Sequence, residues 1–313
     1  MSLTIGIDIG GTKVLGGVVD PEGRILTTTL RASPAQDVAA IRRLIADVVD
    51  ELSQAHDVTA VGVAAAGWID AKRSTVLFAP NLAWRNEPLR DNLASETDLP
   101  IVVENDANAA VWAEFQYGAA RSSSSAALFT VGTGIGGGLV LDGQLVRGSH
   151  GVAAEMGHTL AVPGGIECGC GRLGCIEQYA SGRALVRFAR EGARAAPNNA
   201  ELLLRAADGD VDQIDGPMVT EAAGQGDAVA CEAFAAVGGY LGEAAADMVQ
   251  LFDPDVIVVG GGVISAGELL LEPMRRRYQA TLHARGRLPV AEIKAAQMGQ
   301  RSGIVGAADL ARR

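Results

Sequence analysis

Apolar residues alternate with short glycine turns in two segments that follow the same plan. Residues 6–25, GIDIGGTKVLGGVVDPEGRI, predict a strand, a tight turn, a second strand and an Asp-Pro-x-Gly hairpin signal. Residues 128–148, LFTVGTGIGGGLVLDGQLVRG, repeat this plan with an Asp-Gly hairpin. A shift of 122 positions aligns equivalent residues of the two segments: Gly10 with Gly132, Gly16 with Gly138, and Asp20 with Asp142. We therefore predict a duplicated fold, one copy in each of two domains, although any glycine-punctuated β-meander would look similar.

Between the predicted strands, apolar residues recur at the spacing of α-helices. Within residues 35–54 one helical face is apolar, and its members are Val38, Ile41, Leu44, Ile45, Val48, Val49 and Leu52. Residues 227–252 predict a long and largely buried helix, which the strand-like DVIVVGGGV at 255–263 follows. Residues 302–313 predict a terminal helix. Alternating strands and helices are typical of an α/β protein.

The overall composition limits the class of protein. Hydrophobic residues make up 48% and charged residues 20% of the 313 residues, the balance of a soluble globular protein. The net charge of −11 argues against binding to nucleic-acid phosphates, and no apolar run is long enough for a membrane helix. The start of the chain lacks the features of a signal peptide, and its 4 cysteines are too few for a disulfide-rich secreted protein. We expect a cytoplasmic protein that binds neither nucleic acid nor membrane.

Three glycine turns follow apolar strands, at residues 8–13 (DIGGTK), 132–134 (GTG) and 260–262 (GGG). Glycine lets backbone N–H groups approach an anion closely, so such turns can cradle phosphates. Residues 132–137 fit GxGxxG, but a strand-like segment follows where a Rossmann turn requires a helix, and no Walker-type GxxxxGK[ST] occurs. The three turns favour a nucleotide held between the domains. Asp8 is then either a turn former or a residue that orients hydrated Mg²⁺.

A polar cluster, ENDAN at 104–108, stands between a short apolar strand and a predicted helix. Either Asn105 or Asp106 can cap that helix. A carboxylate at the C-terminal edge of a strand also faces the crevice in which α/β proteins bind ligands, where Asp106 could take a proton from an attacking hydroxyl. Phosphoryl transfer needs mainly positioning, electrostatics and one such base. The cluster is therefore either a cap alone or a cap beside a catalytic base.

Three of the 4 cysteines follow a histidine in a glycine-rich loop, GHTLAVPGGIECGCGRLGCIEQ at 157–178. The loop offers the nitrogen and sulfur ligands of a closed structural zinc site, namely His158, Cys168, Cys170 and Cys175. A Cys168–Cys170 disulfide would be strained, and no C-x-x-C redox pair is present, so we predict zinc. Glu155 and Glu177 bracket the loop and are either solvated or acceptors for sugar hydroxyls.

The order of these motifs resembles that of the ROK-family sugar kinases. DIGGTK, ENDANAA, VGTGIGGG, ExGH at 155–158, CGCGRLGCIE and DVIVVGGGV occur in the family's order, essentially from end to end. FAPNLAWRNEPLRDNL at 78–93 resembles the actinobacterial ATP-dependent glucokinases of that family. The resemblance implies the actin-like ATPase (ribonuclease H-like) fold, with two domains, a duplicated βββαβα core and a cleft between them. The expected domains are residues 1–108 plus 299–313, and 109–298.

The resemblance also implies a reaction, the transfer of the ATP γ-phosphoryl to the 6-hydroxyl of glucose with Asp106 as general base. The implied sugar ligands are Gly67, Asn81, Asn105, Asp106, Glu155, His158 and Glu177. The implied residues for ATP with Mg²⁺ are Asp8, Gly10, Gly11, Thr12, Lys13, Thr133, Gly134, Gly261 and Gly262. The implied ligands of a structural Zn²⁺ are His158, Cys168, Cys170 and Cys175. The family further implies a homodimer or homotetramer.

Other functions remain open to different degrees. An N-acetylhexosamine kinase, for N-acetylglucosamine or N-acetylmannosamine, would share the hydroxyl ligands, and residues 78–93 are the reason to prefer glucose. Sugar-responsive repressors of the family carry a helix-turn-helix domain ahead of the first phosphate turn, whereas only Met1 to Thr4 precede the first strand here, so we disfavour a repressor. Polyphosphate-using glucokinases lack the cysteine loop, and an actin-like filament needs no set of sugar-binding carboxylates.

Overall fold

The computed structural model describes residues 2–285 and 290–313. Its strands are β1 (Leu3–Ile9), β2 (Lys13–Val19), β3 (Ile25–Ala32), β4 (Val58–Ala65), β5 (Trp68–Ile69), β6 (Val76–Phe78), β7 (Arg85–Glu87), β8 (Ile101–Asn105), β9 (Ala126–Val131), β10 (Ile135–Leu141), β11 (Gln144–Leu145), β12 (Val256–Gly260) and β13 (Glu292–Ala295). Its α-helices are α1 (Val38–Ala55), α2 (Leu89–Leu93), α3 (Asp106–Tyr117), α4 (Glu177–Ala180), α5 (Gly182–Ala195), α6 (Glu201–Ala206), α7 (Gly216–Gly224), α8 (Ala228–Phe252), α9 (Glu268–Thr281) and α10 (Ser302–Arg312). Short 3₁₀ turns include Met156–His158, Gly262–Ala266 and Gly299–Arg301. Within the described ranges no helix has the length and apolar character that crossing a bilayer requires.

Two five-stranded sheets have the same strand order. The first runs β3-β2-β1-β4-β8 and the second β11-β10-β9-β12-β13. In the first sheet β2 is antiparallel to both β1 and β3, whereas β4 is parallel to both β1 and β8. In the second, β10 and β11 are antiparallel and β12 and β13 are parallel. The repeated order confirms the duplication that the two glycine-turn segments predicted. A small sheet, β5-β6-β7, is inserted after β4.

The chain divides into two compact units whose limits differ from the predicted domain boundaries. The first unit comprises Met1–Leu128, Gly138–Ala154 and Ala296–Arg313, and the second comprises Phe129–Gly137 and Glu155–Ala295. The prediction placed residues 109–128, 138–154 and 296–298 in the second domain, whereas all three segments lie in the first unit. For α3 the reason is its packing against α10: Trp112 Nε1 and Tyr117 Oη donate to the Asp309 carboxylate at 2.9 and 2.6 Å.

The first unit buries the apolar faces that periodicity predicted. In α1 the residues Ile41, Ile45, Val48, Val49 and Leu52 are buried against the sheet, and Val38 and Leu44 pack at the edge of the same cluster. The helix begins after Asp37, whose side chain accepts a hydrogen bond from the Ala40 N–H at 2.9 Å. The predicted terminal helix is confirmed as α10, whose apolar residues are buried with Val19 and Ala113.

The second unit is built around the long apolar helix predicted for residues 227–252. That helix is α8, which begins after the capping side chain of Asp227 and ends at Asp253 in a left-handed conformation. The strand predicted at 255–263 is β12, which is buried along its whole length. Ser181 caps α5 through a 3.3 Å hydrogen bond from the Ala184 N–H to its Oγ. This cap places the start of α5 beside the second glycine turn.

Candidate active site

Polar residues of the first unit converge at the carboxyl ends of β1, β4 and β8. The parallel register sets Ile9 opposite Ala65 and Ala65 opposite Asn105. Each of these strands therefore ends at the same edge of the sheet, where parallel α/β sheets bind ligands. The segments that follow the three strands carry the first glycine turn, Gly67 and Asp106.

Asn105 and Asp106 form the junction between β8 and α3. Of the two predicted candidates, Asn105 is the cap of α3, because its Oδ1 accepts the Asn108 N–H at 2.9 Å. Its Nδ2 donates to the Gly67 carbonyl at 3.0 Å and to Asp106 Oδ1 at 3.1 Å. Asp106 Oδ1 also accepts the Ala107 N–H at 3.0 Å. The Asp106 carboxyl is thus held in one orientation by its neighbours.

Burial sets the proton affinity of Asp106. Removal from water raises its pKa from 3.8 to about 6, against the hydrogen bonds from the Ala107 N–H, its own N–H and Asn105, which lower it. A base works best when its pKa lies close to the working pH, because it is then ionised and still attracts a proton. Asp106 is therefore mostly ionised near neutral pH and still has a raised affinity for protons.

Asp8 lies beside Asp106 and against the start of α10. The pKa of Asp8 is raised from 3.8 to about 7, mainly by burial and further by the negative charge of Asp106, while the positive charge of Lys13 lowers it. The approach to α10 is close, since a Cβ at Gly303 would come within 2.5 Å of Asp8 Oδ2. A carboxylate whose charge is disfavoured in this way gains from a nearby cation, and carboxylates are preferred ligands of Mg²⁺.

The first glycine turn is a tight connection between β1 and β2. The Gly10 N–H donates to the Lys13 carbonyl at 3.0 Å. A Cβ at Gly11 would lie 3.0 Å from the Asn81 carbonyl oxygen, so Asn81 borders the turn. Thr12 and Lys13 are exposed, and Lys13 Nζ donates to Gln300 Oε1 at 3.1 Å. The structure therefore groups Asn81 and this turn with the carboxylates of the first unit.

The second glycine turn lies in the second unit beside α5. The Gly132 N–H donates to the Gly134 carbonyl at 3.0 Å, and the Gly182 N–H donates to the Gly132 carbonyl at 2.7 Å. Gly261 has a φ of 87° and sits against β9, where a Cβ would be 2.4 Å from the Val131 carbonyl oxygen, so only glycine is tolerated. A cleft of about 1040 Å³ opens here; its lining includes Gly132, Thr133, Gly182, Arg183, Gly262 and Ser265. Such a volume accommodates a nucleotide.

Glu177 connects the second glycine turn to the cysteine loop. Its Oε2 accepts the Ile135 N–H at 3.0 Å, and its Oε1 lies 3.2 Å from Arg183 Nη2 and 3.9 Å from Cys168 Sγ. On the other flank of the loop, Glu155 starts the short helix of the ExGH motif, where its carbonyl accepts the His158 N–H at 3.0 Å. Both flanking glutamates thus belong to the same unit as the loop.

The predicted zinc ligands come together in the second unit. One ligand atom from each of His158, Cys168, Cys170 and Cys175 lies within 4.8 Å of all the others. Cys168 Sγ is 3.6 Å from His158 Nδ1, and Cys170 Sγ is 3.6 Å from Cys175 Sγ. Ligands bound tetrahedrally to one zinc at 2.0–2.3 Å are about 3.5–3.8 Å apart, so the cluster fits this metal.

Two residues that the structure places near Asp8 and Asp106, namely Gly303 and Glu104, had no role assigned from the sequence. Gly303 lies near the C-terminus and contacts Asp8 near the N-terminus, so no local pattern links them. Glu104 is 1% exposed and binds Arg73, which is 31 residues away in the chain. A charged residue at the end of an apolar strand was the available signal for Glu104, but its partners depend on tertiary packing.

Comparison with known proteins gives the family. The ROK family model matches residues 4–313. A glucokinase of Streptomyces coelicolor is 48% identical over 100% of this chain and 98% of its own, and an N-acetylmannosamine kinase of Yersinia pseudotuberculosis is 35% identical over 100% and 99%. A crystal structure of a ROK family glucokinase from Streptomyces griseus in complex with glucose and AMPPNP has a TM-score of 0.89 and 51% identity, with 99% of each chain covered. The chain therefore has the two-domain actin-like ATPase fold that its motifs implied, and it belongs to the ROK family.

Proposed function

We propose that this protein is an ATP-dependent glucokinase, which transfers the γ-phosphoryl group of ATP to the 6-hydroxyl of glucose. The observation that carries the proposal is the Asp106 carboxyl, which is fixed by Asn105 at the ligand-binding edge of the sheet and has its pKa raised to about 6. The glucokinase of Streptomyces coelicolor, 48% identical over the whole chain, supports glucose as the acceptor.

Asp106 acts on the acceptor hydroxyl. As the 6-hydroxyl oxygen attacks the γ-phosphorus, Asp106 takes its proton, the new P–O bond forms, and the bond to the β-phosphate oxygen breaks to release ADP. Phosphoryl transfer asks the protein mainly for alignment and charge stabilisation, so the fixed orientation of this carboxylate is its main contribution.

The phosphates and the metal of ATP are assigned to backbone and oxygen donors. In the first unit, Gly10 to Lys13 would contact phosphate oxygens, and Asp8 would hold hydrated Mg²⁺, whose charge offsets that of the phosphates. In the second unit, Thr133 and Gly134 would contact phosphates, and Gly261 and Gly262 would face the adenosine beside the 1040 Å³ cleft.

The remaining polar residues are assigned to the sugar and to zinc. In the first unit Gly67, Asn81 and Asn105 would bind sugar hydroxyls, and in the second Glu155, His158 and Glu177 would do so. Structural zinc would be held by Cys168, Cys170 and Cys175 with His158. A closed four-ligand site supplies a cross-link and no open position for chemistry, so zinc would brace the loop from which His158 and Glu177 reach the sugar.

The test of the reaction is product identification. Purified protein is incubated with ATP, Mg²⁺ and glucose, and the product is assayed with a dehydrogenase specific for glucose 6-phosphate. We expect one glucose 6-phosphate for each ADP, and little ADP without sugar. ADP release without a sugar phosphate, or phosphate at another hydroxyl, would contradict the proposed reaction.

A second candidate is an N-acetylhexosamine kinase. The 35% identical N-acetylmannosamine kinase of Yersinia pseudotuberculosis favours it, since it spans the same chain length. Its chemistry would use the same base and the same metal, and only the pocket around the 2-substituent of the sugar would differ.

The homodimer or homotetramer implied by the family stays a prediction, which a measurement of molecular mass in solution checks.

The raised pKa of Asp106 predicts the pH dependence of activity. The base must be ionised to accept a proton, and it becomes protonated as the pH falls through its pKa of about 6. The value of kcat/KM for glucose should therefore be constant above that pKa and fall about tenfold per pH unit below it. Initial rates from acid to neutral pH at saturating ATP measure this, and a rate that stays flat through the acid range would be incompatible with Asp106 as the base.

The close contact between Gly303 and Asp8 predicts that a larger residue at position 303 raises the Mg²⁺ concentration that the reaction requires. In Gly303→Ala the new methyl group would lie 2.5 Å from Asp8 Oδ2, so the carboxylate must move. We expect the Mg²⁺ concentration for half-maximal rate to rise about tenfold, because a displaced ligand holds the ion less well. Gly239→Ala is the matched control, since this helical glycine has open space around a new Cβ. An unchanged Mg²⁺ requirement in the Gly303 variant would count against Asp8 as the magnesium residue.

A further inference from the structure

A buried ion cluster is centred on Glu104, close in the chain to the proposed base Asp106. The Glu104 side chain is 1% exposed, and its Oε2 lies 3.0 Å from Arg73 Nε and 2.8 Å from Arg147 Nε. Its Oε1 accepts the backbone N–H of Asn105 at 2.9 Å and Nδ2 of Asn108 at 3.1 Å. One carboxylate oxygen is therefore bound by cations, and the other is bound by the junction between β8 and α3.

Arg73 belongs to the loop between β5 and β6, and Arg147 is hydrogen-bonded to the same loop. Arg147 donates through Nη1 to the Ala71 carbonyl and through Nη2 to the Asp70 carbonyl, each at 2.9 Å. The Arg73 carbonyl accepts the Val103 N–H at 3.2 Å, and Arg73 has a φ of 55°. Left-handed backbone is uncommon for a residue other than glycine, and such residues persist only where their surroundings hold them. The cluster thus connects the loop between β5 and β6 to the C-terminal end of β8.

We propose that Glu104 is a positioning residue for phosphoryl transfer. Its carboxylate holds the Asn105 backbone and the Asn108 side chain, and Asn105 in turn holds the Asp106 carboxyl and the Gly67 carbonyl. Glu104 does not touch the reacting atoms and acts through Asn105. The inference rests on the proposed function, because it assumes that Asp106 is the base whose placement limits the rate.

Stability alone does not explain such a cluster. A buried ion cluster gives little net stability compared with apolar residues of the same volume, because its members lose their hydration. A catalytic carboxylate, by contrast, must be held within about 0.5 Å of its working position, which requires neighbours locked by hydrogen bonds and ion pairs. Glu104 stands immediately before Asn105 and Asp106 in the chain and binds the Asn105 N–H, and this position favours the second explanation.

The same unit offers a matched control for Glu104. Asp309 on α10 is also a buried carboxylate with two arginines, since Arg312 Nη1 and Arg313 Nε lie 2.8 and 2.9 Å from its oxygens. It accepts further hydrogen bonds from Trp112 and Tyr117, which lie on the later part of α3. Asp309 therefore has the chemistry and burial of Glu104 but contacts α3 away from the base.

The test compares Glu104→Gln with Asp309→Asn and Asp106→Asn. Each amide keeps the size of its carboxyl group and removes the charge that holds the arginines. For Glu104→Gln we expect kcat to fall about 10- to 100-fold while the KM for ATP stays within about twofold, because the base is misplaced and the nucleotide residues are not. For Asp309→Asn we expect a comparable loss of Tm, with kcat within about threefold of the unsubstituted protein.

Each outcome has one interpretation. A kcat within about threefold for Glu104→Gln, with the kcat of Asp106→Asn lowered by about 10²-fold or more, would overturn the role of Glu104 and leave the proposed function intact. Equal losses of kcat in the Glu104 and Asp309 variants would also overturn it, as an effect of stability alone. No sugar phosphorylation by the unsubstituted protein would instead reject the proposed function.

A second variant keeps the inference testable if Glu104→Gln does not fold. The Arg73 side chain is 30% exposed, so Arg73→Gln disturbs the core less. It removes one of the two cations from Glu104, and we expect kcat to fall about 3- to 10-fold with the KM for ATP unchanged. An unchanged kcat in a folded Arg73→Gln protein would overturn the proposal.

Discussion

Replacement of Asp106 by asparagine is expected to lower kcat for glucose phosphorylation by about 10²- to 10⁴-fold, with little change in the dissociation constant of glucose. Asparagine has the shape of aspartate and keeps an oxygen that can accept from Asn105 and Ala107, so the pocket is preserved. It cannot take the proton of the 6-hydroxyl. Steady-state kinetics and calorimetric titration of glucose measure the two quantities, and near-normal turnover would remove Asp106 as the base.

The stability of the same variant separates loss of the base from loss of the fold. The pKa of Asp106 is raised from 3.8 to about 6 in the folded protein, so its charged form is disfavoured there. The penalty is absent below the unfolded pKa, grows as the pH rises through this interval, and is complete above the folded pKa, where it amounts to about 3 kcal/mol. The asparagine variant avoids this penalty. Near neutral pH we therefore expect its Tm to be at least that of the unsubstituted protein, and a lower Tm would contradict this electrostatic account.

Loss of zinc is expected to have the second largest effect. We predict about one zinc per chain, bound by three thiolates and His158. Removal of a structural zinc takes away a large part of the local folding free energy, about 10–16 kcal/mol in isolated zinc-finger peptides, so the loop should lose its order. Since His158 and Glu177 stand on this loop, we expect the KM for glucose to rise at least about tenfold.

Cys170→Ser tests the zinc prediction with a matched control. Cys170 is the exposed ligand of the cluster, so a serine there changes the metal site with little effect on packing. Cys231→Ser on α8 alters a cysteine outside the cluster. Elemental analysis and Tm should show loss of zinc and stability for the first variant only. A fully active protein that contains no zinc would refute the metal assignment.

Local patterns predicted much of the fold and part of the site. Glycine turns between apolar strands are visible in the chain, because tight turns require particular residues, and their repetition predicted the shared strand order of the two sheets. The apolar face of α1 follows from helical periodicity. The histidine and the three cysteines of the metal loop could be predicted to converge, because these residue types close together in one glycine-rich loop are typical of a zinc site. In the structure their ligand atoms lie within 4.8 Å of one another.

The features that sequence could not predict depend on packing between distant segments. Glu104 pairs with arginines on two other loops, and Gly303 contacts Asp8 from the other end of the chain. Neither contact leaves a periodic or motif-like trace. The predicted boundary after residue 108 differs from the observed division for the same reason, because the composition of α3 does not reveal that α10 is its partner. The ROK family assignment, in contrast, rests on motifs and was correct.

The most direct test of the account is the sugar preference of the purified protein. ADP release from ATP is measured with glucose, mannose, N-acetylglucosamine, N-acetylmannosamine and no sugar, and kcat/KM is compared across the panel. The account predicts the highest kcat/KM for glucose and almost no ADP release without a sugar. A higher kcat/KM for either N-acetyl sugar, or no activity with any sugar, would contradict the assignment of this protein as a glucokinase.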